Sequence, residues 1–585
     1  MEKVLLSGNE AVARGAYEAG VKVATAYPGT PSTEILENIV QYKDDIHCQW
    51  SPNEKVSMEV AIGAAFGGVR SLVAMKHVGL NVAADPFMTL SYTGIRGGLV
   101  VVSADDPSMH SSQNEQDNRH YARFAKVPML EPADSQEAKD FVGYALDISE
   151  EFDTPVILRT TTRISHAKTV VEPGGREEYS VPEEFEKDPD KFVMVPANAY
   201  KRHPKIEERL NRVGDYAETS PLNRVEGQNQ ELGIITSGVT YNHAKEVFPE
   251  ASFLKLGITY PLPEKKIKKF AKQVDKLYVI EELDPFLENQ IKAMGIEVTG
   301  KDKLPLTYEL NTKVIRESFI EEKVEDTIVE ESKELPPRPP ALCPGCPHRG
   351  VFYSLNKLGV TVTGDIGCYA LGVVPPLSAM DTLVCMGASI GNAFGLELAL
   401  GDKIKGDVVG VIGDSTYMHS GITGLIDIMY NKGASTIVIL DNRITAMTGH
   451  QENPVTGKTL MGEDTVEVDL VELNKALGVE NVRTVDPYDL GETKKVITEE
   501  LEKDEISVVV AQRSCVLLDS VERKAPYTVD SDKCQDCGQC LDIGCPALVK
   551  EEGEAKINDY LCTGCGVCTE ICVFDAIVRD GGSDE

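Results

Sequence analysis

A single tryptophan among 585 residues, aromatic side chains at 6%, and only six cysteines before residue 534 mark what this sequence has little of. Cysteine this sparse over 533 residues excludes a small protein stapled by disulfides. Basic side chains are also short, 59 against 93 acidic ones, for a formal charge of -34. Such a surface repels polyanions, so nucleic acid and anionic membrane are excluded as main partners. No 18-residue uncharged apolar run occurs, and the N-terminus lacks a basic segment followed by an apolar core. Neither a membrane span nor a signal peptide is expected, and the expected compartment is the cytoplasm. The length fits roughly four domains, each able to bury its own core.

What is present in quantity is alternation of strand-like and helix-like segments, the pattern of an α/β fold. Residues 407 to 451 form its chemical centre. Val408 to Ile412 is a short apolar run of strand type, followed at once by Gly413, Asp414 and Ser415. Ile422, Leu425, Ile426, Met429 and Tyr430 then recur at helical spacing, Gly433 reads as a helix stop, and Thr436 to Leu440 is a second β-branched run. The unit reads as strand, loop, helix, strand with parallel strands and a right-handed crossover. Asp414 and Asn442 lie just past two strand ends, where ligands of such sheets sit. A carboxylate and an amide oxygen there can converge on one hard cation that also holds a diphosphate. The plain alternative is an ordinary βαβ unit with Asp414 starting a helix.

Residues 1 to 170 alternate in the same way. A helix-like segment from Asn9 to Gly20 precedes a strand-like Val21 to Tyr27, and Pro28-Gly29-Thr30-Pro31 turns into a helix that Ser32 or Thr33 can cap. A further helix opens at Asn53-Glu54 and carries Glu59. Two loops follow strand-like runs, one from Met75 to Asn81 with His77, the other from Ser103 to Pro107 with Asp105 and Asp106. Residues 171–230, rich in charge, Pro and Asn, read as a connecting segment. Residues 231–320 read as a compact α/β unit, and 321–342, charged and then Pro-rich, as a linker.

Cys343-x2-Cys346 opens the segment 343–525, with Cys368 22 residues past Cys346 and Cys515 just after the strand-like Ser507 to Ala511. Taken locally, that pair leaves zinc, redox chemistry or no role open. Cys48 and Cys385 read as small buried hydrophobes. The tail, 526–585, is more specific. Cys534-x2-Cys537-x2-Cys540-x4-Cys545-Pro and Cys562-x2-Cys565-x2-Cys568-x3-Cys572 repeat after 28 residues. In the bacterial two-cluster ferredoxin pattern the fourth Cys of each run ligates the other cluster. One 4Fe-4S set is then Cys534, Cys537, Cys540 and Cys572, the other Cys562, Cys565, Cys568 and Cys545. Zinc is the alternative, though its sites close with two pairs of ligands rather than triplets.

Together these motifs resemble those of the 2-oxoacid:ferredoxin oxidoreductases across nearly the whole chain. The Gly-Asp start and the Asn 28 residues later resemble the thiamine diphosphate and magnesium motif, with Ser415 where a second Gly is usual. Thr448 to Gln451 looks like the loop that follows it, and YPGTPST at Tyr27 to Thr33 resembles the family's YPxTPS turn. DDPSMHSSQNEQD at Asp105 to Asp117, LCPGCPHRG at Leu342 to Gly350 and TAMTGHQENP at Thr445 to Pro454 are most similar to the large subunits that act on indolepyruvate.

The resemblance implies two doubly wound domains of thiamine-diphosphate-binding type (1–170 and 343–525), a transketolase C-terminal-like domain (231–320) and a two-cluster ferredoxin domain. It implies that Glu54 hydrogen-bonds the thiamine pyrimidine, with Glu59 the runner-up. Asp414, Asn442 and the carbonyl of Ile444 would hold Mg2+. Gly413, Ser415, Thr448, Gly449 and His77 would line the cofactor, and Thr30 would touch the substrate. A third, proximal 4Fe-4S cluster would sit on Cys343, Cys346, Cys368 and Cys515. The implied activity is oxidative decarboxylation of an aryl 2-oxoacid with coenzyme A, electrons leaving through the clusters to ferredoxin, with a small beta subunit in an α2β2 assembly. Pyruvate enzymes of this kind carry an Arg near the second loop. Asp105 and Asp106 stand there instead, which suits a larger 2-oxoacid. Another 2-oxoacid, a non-oxidative thiamine decarboxylase, and an electron-transfer subunit without catalysis remain as alternatives.

Overall fold

Strands Ser71–Lys76, Leu99–Asp105 and Val156–Thr161 are buried along their whole length, as expected where helices cover both faces of a parallel sheet. The computed structural model describes residues 3–320, 339–551 and 553–579, so residues 321–338 of the expected linker lie outside the described residues. The chain divides into two units, Met1–Val329 and Glu330–Glu585.

The first unit is built on a seven-stranded sheet in the order Ile258–Tyr260, Met129–Leu130, Val156–Thr161, Leu99–Asp105, Ser71–Lys76, Val23–Ala26, His47–Trp50. All neighbours are parallel except the first pair. Helix Glu54–Phe66 is started by Asn53, whose side chain accepts from the Val56 amide at 2.9 Å. Loss of such a cap costs about 1 kcal/mol. Ser32 sits at the cap position of helix Thr33–Ile39 but does not cap it, because its hydroxyl donates to Gly29 O at 2.8 Å and closes the preceding turn instead.

A second sheet runs in the order Lys276–Ile280, Leu232–Ser237, Ser252–Leu256, Arg224–Glu226, so it takes one strand from before residue 231, while Ile258–Tyr260 joins the seven-stranded sheet. The segment 171–230 is not the plain connection its composition implies. It contains the 24-residue helix Pro196–Thr219, with Ile206, Arg209, Val213 and Ala217 buried. Charged residues mask that narrow stripe. Arg209 completes it by donating to Asp153 O and Ser91 O, both at 2.8 Å.

The second unit holds a six-stranded, wholly parallel sheet in the order Thr382–Leu383, Thr361–Gly364, Val408–Gly413, Thr436–Asp441, Ser507–Gln512, Asn481–Val485. Its strands Val408–Gly413, Thr436–Asp441 and Ser507–Gln512 are buried except at Gln512 and rich in Val and Ile, each such side chain worth about 1.5–3 kcal/mol on burial. The tail pairs Tyr527–Val529 with Ile577–Arg579 and Leu548–Glu551 with Glu554–Ile557, both antiparallel, around two short helices, Gln539–Ile543 and Val567–Ile571. Leu490 of the main body packs into the tail's small core with Ile543, Val567 and Ile571.

Candidate functional site

In the second unit, strands Val408–Gly413 and Thr436–Asp441 run side by side, with Gly413 opposite Leu440. This register brings the residues after both strands to one end of the sheet. Asp414 is 3% exposed and Asn442 7%. The Asp414 carboxylate accepts from the Ser415 amide at 2.6 Å and the Arg443 amide at 3.0 Å. Asp441 accepts from the same Arg443 amide at 3.2 Å. Burial, and after it the charge of Asp441, holds the Asp414 carboxyl well above its ordinary range. Two carboxylates crowded on one amide favour a bound cation, and the oxygen donors of Asp414, Asn442 and Ile444 are those a magnesium ion takes.

Gly413 is required here because a Cβ would lie 2.6 Å from the Tyr369 ring. Ser415, where a glycine is usual, is accommodated: its hydroxyl accepts from Thr445 Oγ1 at 2.9 Å. The loop after Asn442 is closed by paired main-chain bonds between Thr445 and Gln451 at 3.0 and 3.2 Å, and Gln451 also bonds Thr448. Gly449 has φ 127, a conformation that favours glycine. Asp365, missed in the sequence, organises the opposite loop. It is fully buried and accepts from the amides of Ile366, Gly387 and Ser389 at 2.8 to 3.0 Å. A Gly-Asp pair after the strand-like Thr361–Gly364 was its only sequence signal.

Four cysteines gather close to the same sheet end. Cys343 and Cys346 precede helix His348–Leu358, Cys368 follows strand Thr361–Gly364, and Cys515 follows strand Ser507–Gln512. The Cys346 thiol feels the charges of Cys343 and Cys368, and Cys368 those of Cys515 and Cys343. Burial pushes Cys346 up to about 12 and Cys368 up to about 11. The Cys515 amide donates to Asn442 O at 3.0 Å, so this cysteine set and the carboxylate pair share one strand end.

In the tail, Cys534, Cys537, Cys540 and Cys572 line one pocket. Cys568 feels Cys565, Cys545 and Cys562. Cys572 thus lies with the first triplet and Cys545 with the second. Among the described residues no three cysteine sulfurs lie within 4.8 Å of one another. Cys48 is buried, as expected, whereas Cys385 is exposed, lying on the loop before helix Ala388–Leu400 rather than in the core.

In the first unit, Glu54 opens its helix and is 4% exposed. Glu59, one turn further on, is exposed and paired with Lys55. Gly79 lies against Glu54, and a Cβ there would be 2.7 Å from Glu54 Oε1. His77 is fully buried; Asn114 acts on its ring, but neither ring nitrogen has a hydrogen bond of normal geometry. Burial, and then the neighbouring Lys76 charge, pushes His77 down to about 4, so the ring is neutral. Thr30 O accepts from Ser111 Oγ at 3.2 Å. Asp105 and Asp106 do not face outward as loop carboxylates. Asp105 is paired with Arg159 at 2.7 Å, and Asp106 accepts from Ser111, Ser112 and Thr162.

The chain matches two family models. Residues 14–230 match the pyruvate flavodoxin/ferredoxin oxidoreductase, thiamine diphosphate-binding family, and residues 365–511 the C-terminal binding domain of thiamine pyrophosphate enzymes. It is 43% identical to the IorA subunit of indolepyruvate oxidoreductase from Methanothermobacter thermautotrophicus, covering 99% of this chain and 98% of that protein. The corresponding subunit from Pyrococcus horikoshii is 41% identical over the same shares of both chains. A solved 2-oxoglutarate:ferredoxin oxidoreductase from Magnetococcus marinus aligns with TM-score 0.44 and 18% identity over 51% of this chain and 61% of that one. Near-complete coverage at this identity, on a chain whose motif residues sit at the ends of parallel strands, settles the assignment: the chain belongs to the family of IorA subunits of indolepyruvate oxidoreductases.

Proposed function

We propose that the chain is the large subunit of a thiamine-dependent enzyme that oxidatively decarboxylates an aryl 2-oxoacid of the indolepyruvate type. Coenzyme A takes the acyl group, ferredoxin takes the electrons, and a small second subunit completes an α2β2 assembly. Thiamine diphosphate, when bound, supplies the nucleophilic carbon and the electron sink for loss of carbon dioxide. Asp414, Asn442 and the Ile444 carbonyl hold the magnesium ion that anchors its diphosphate. Glu54, a buried carboxylate, accepts and returns the proton at the pyrimidine. Gly413, Ser415, Thr448, Gly449 and His77 line the cofactor, and Thr30 meets the substrate.

The carrying observation is the Cys515 amide bonded to Asn442 O, which ties the four-cysteine set to the cation-binding strand end. A 4Fe-4S cluster would be held by Cys343, Cys346, Cys368 and Cys515, and it would supply one-electron acceptance at the sheet end that carries Asp414 and Asn442. From there the tail, read as a two-cluster ferredoxin domain, carries electrons outward. The cysteine order supports this, since the tail holds two Cys-x2-Cys-x2-Cys triplets, whereas zinc sites close with two pairs of ligands. Among the described residues no helix is long and apolar enough to cross a membrane.

An anaerobic assay of the two-subunit enzyme tests the proposal. Coenzyme A-dependent reduction of a viologen dye by indolepyruvate or phenylpyruvate is expected. Aldehyde release without dye reduction would instead identify a non-oxidative decarboxylase, and absence of turnover would leave an electron-transfer subunit.

A further inference from the structure

Strand Ser71–Lys76 ends beside Glu54, and its last residue has no role in the scheme above. Lys76 is 8% exposed. Its ammonium donates to Ser111 O at 2.5 Å and reaches Ser111 Oγ at 3.4 Å, and it forms no ion pair among the described residues. Asp106 and Glu54 act on it only through their fields. The chain closes tightly around it. A Cβ on Gly29 would lie 3.1 Å from Lys76 Cβ, while one on Gly79, three residues after Lys76, would lie closer still to Glu54, at 2.7 Å. His77, next in sequence, is buried with both ring nitrogens lacking a hydrogen bond.

The other charges at this end of the sheet are engaged. Arg159 serves Asp105 and Glu131, and Arg119 serves Asp117 and Glu281. Asp106 is saturated by two serines and Thr162. Among the described residues of this unit, an anion brought next to Glu54 would thus meet Lys76 with donor capacity to spare, since an ammonium carries three donors and Ser111 is its hydrogen-bond partner.

We infer that Lys76 binds the carboxylate of the 2-oxoacid, with Thr30 and the neutral His77 ring beside it. The inference rests on the reading of Glu54 as the thiamine-facing carboxylate. It also accounts for the missing arginine: the cation enters from a different strand. A compact ammonium holds a carboxylate by charge alone, without the two-point fork of a guanidinium. The group it holds must leave as uncharged carbon dioxide, and a point charge releases it without breaking paired hydrogen bonds. Selection of the aryl group falls to other residues.

The test uses the assembled two-subunit enzyme and the variants Lys76→Gln, which keeps a donor for Ser111 but no charge, and Lys76→Arg. Lys76→Gln is expected to raise KM for indolepyruvate at least tenfold, with thiamine diphosphate affinity unchanged within twofold, and Lys76→Arg to restore part of the loss. A pH series adds a readout that a structural role would not move. Burial brings the Lys76 amine down to about 8, with Glu54, Asp106 and His77 the titratable groups facing it, so wild-type KM should rise above pH 8. Lys76→Gln should lack that rise. A Lys76→Gln enzyme with KM within twofold of wild type overturns the lysine assignment alone. A wild-type enzyme inert toward every aryl 2-oxoacid overturns the functional reading and this inference with it.

Discussion

Arg349 donates from Nη1 to the main-chain oxygen of Gly544 at 2.5 Å, across 195 residues of chain. The same guanidinium reaches Ile543 O at 3.3 Å, Cys343 O at 3.1 Å and Leu342 O. One buried side chain thus clamps the loop of Cys343 and Cys346 to the turn before Cys545. Gly345 packs directly on Thr563, and Leu490 N donates to Glu570 at 2.8 Å, so the tail is seated on the main body at three points. The Lys357–Asp542 pair at the rim is about 40% exposed and contributes little.

Arg349→Met should therefore loosen the tail. It removes the guanidinium donor from the oxygens of Leu342, Ile543 and Gly544, while Cys343 O keeps the Cys346 amide, and each buried acceptor left without a donor costs about 1–3 kcal/mol. Faster cleavage by a protease between residues 516 and 526 is the expected outcome, read by mass spectrometry of the released tail. Unchanged cleavage would mean the other contacts suffice.

Iron content separates the cysteine sets. About twelve iron atoms per chain are expected for three four-iron clusters. Cys572→Ala should remove the cluster shared with Cys534, Cys537 and Cys540, leaving about eight, while the set containing Cys545 keeps its electron paramagnetic resonance signal. If the signals vanish together, or if Cys572→Ala instead empties the Cys562 set, the crosswise grouping is wrong.

Glu54→Gln and Glu59→Gln form a matched pair. The first should lower kcat by about a hundredfold to ten-thousandfold, the scale of a lost acid–base group. The second replaces an exposed residue paired with Lys55 and should leave both activity and stability nearly unchanged. Steady-state kinetics decides, and equal losses in both would remove Glu54 from its role.

Asp414→Ala should abolish thiamine-dependent turnover while tail iron stays at the wild-type level, because Asp414 lies on the sheet end and not on the tail cysteines. Activity retained without Asp414 would take the cation site away from residues 414–444.

Trp50 offers a direct optical probe. It is the only tryptophan, half-buried at the end of strand His47–Trp50 and four residues before Glu54. Adding thiamine diphosphate with Mg2+ to cofactor-depleted enzyme should change its fluorescence with the same concentration dependence as recovery of activity.

The local pattern of the sequence already determined a great deal. Strand-type runs followed at once by Gly413-Asp414 and by Asn442 placed those residues at strand ends, because strand length and turn residues act within a few positions. Cysteine triplets at fixed spacing likewise marked the tail. The sequence misled where a polar surface hid a narrow buried stripe, as in helix Pro196–Thr219, and where a hydroxyl had two acceptors to choose from, as at Ser32. Only the tertiary structure decided which of Glu54 and Glu59 is buried, that Asp105 is paired with Arg159 while Asp106 is hydrogen-bonded by Ser111, Ser112 and Thr162, and that Lys76 keeps donor capacity to spare among the described residues. The reason is physical. Periodicity reports which face of an element is apolar, but the partner of a buried charge comes from distant chain, and desolvation makes that partner, not the local sequence, determine what the charge can do.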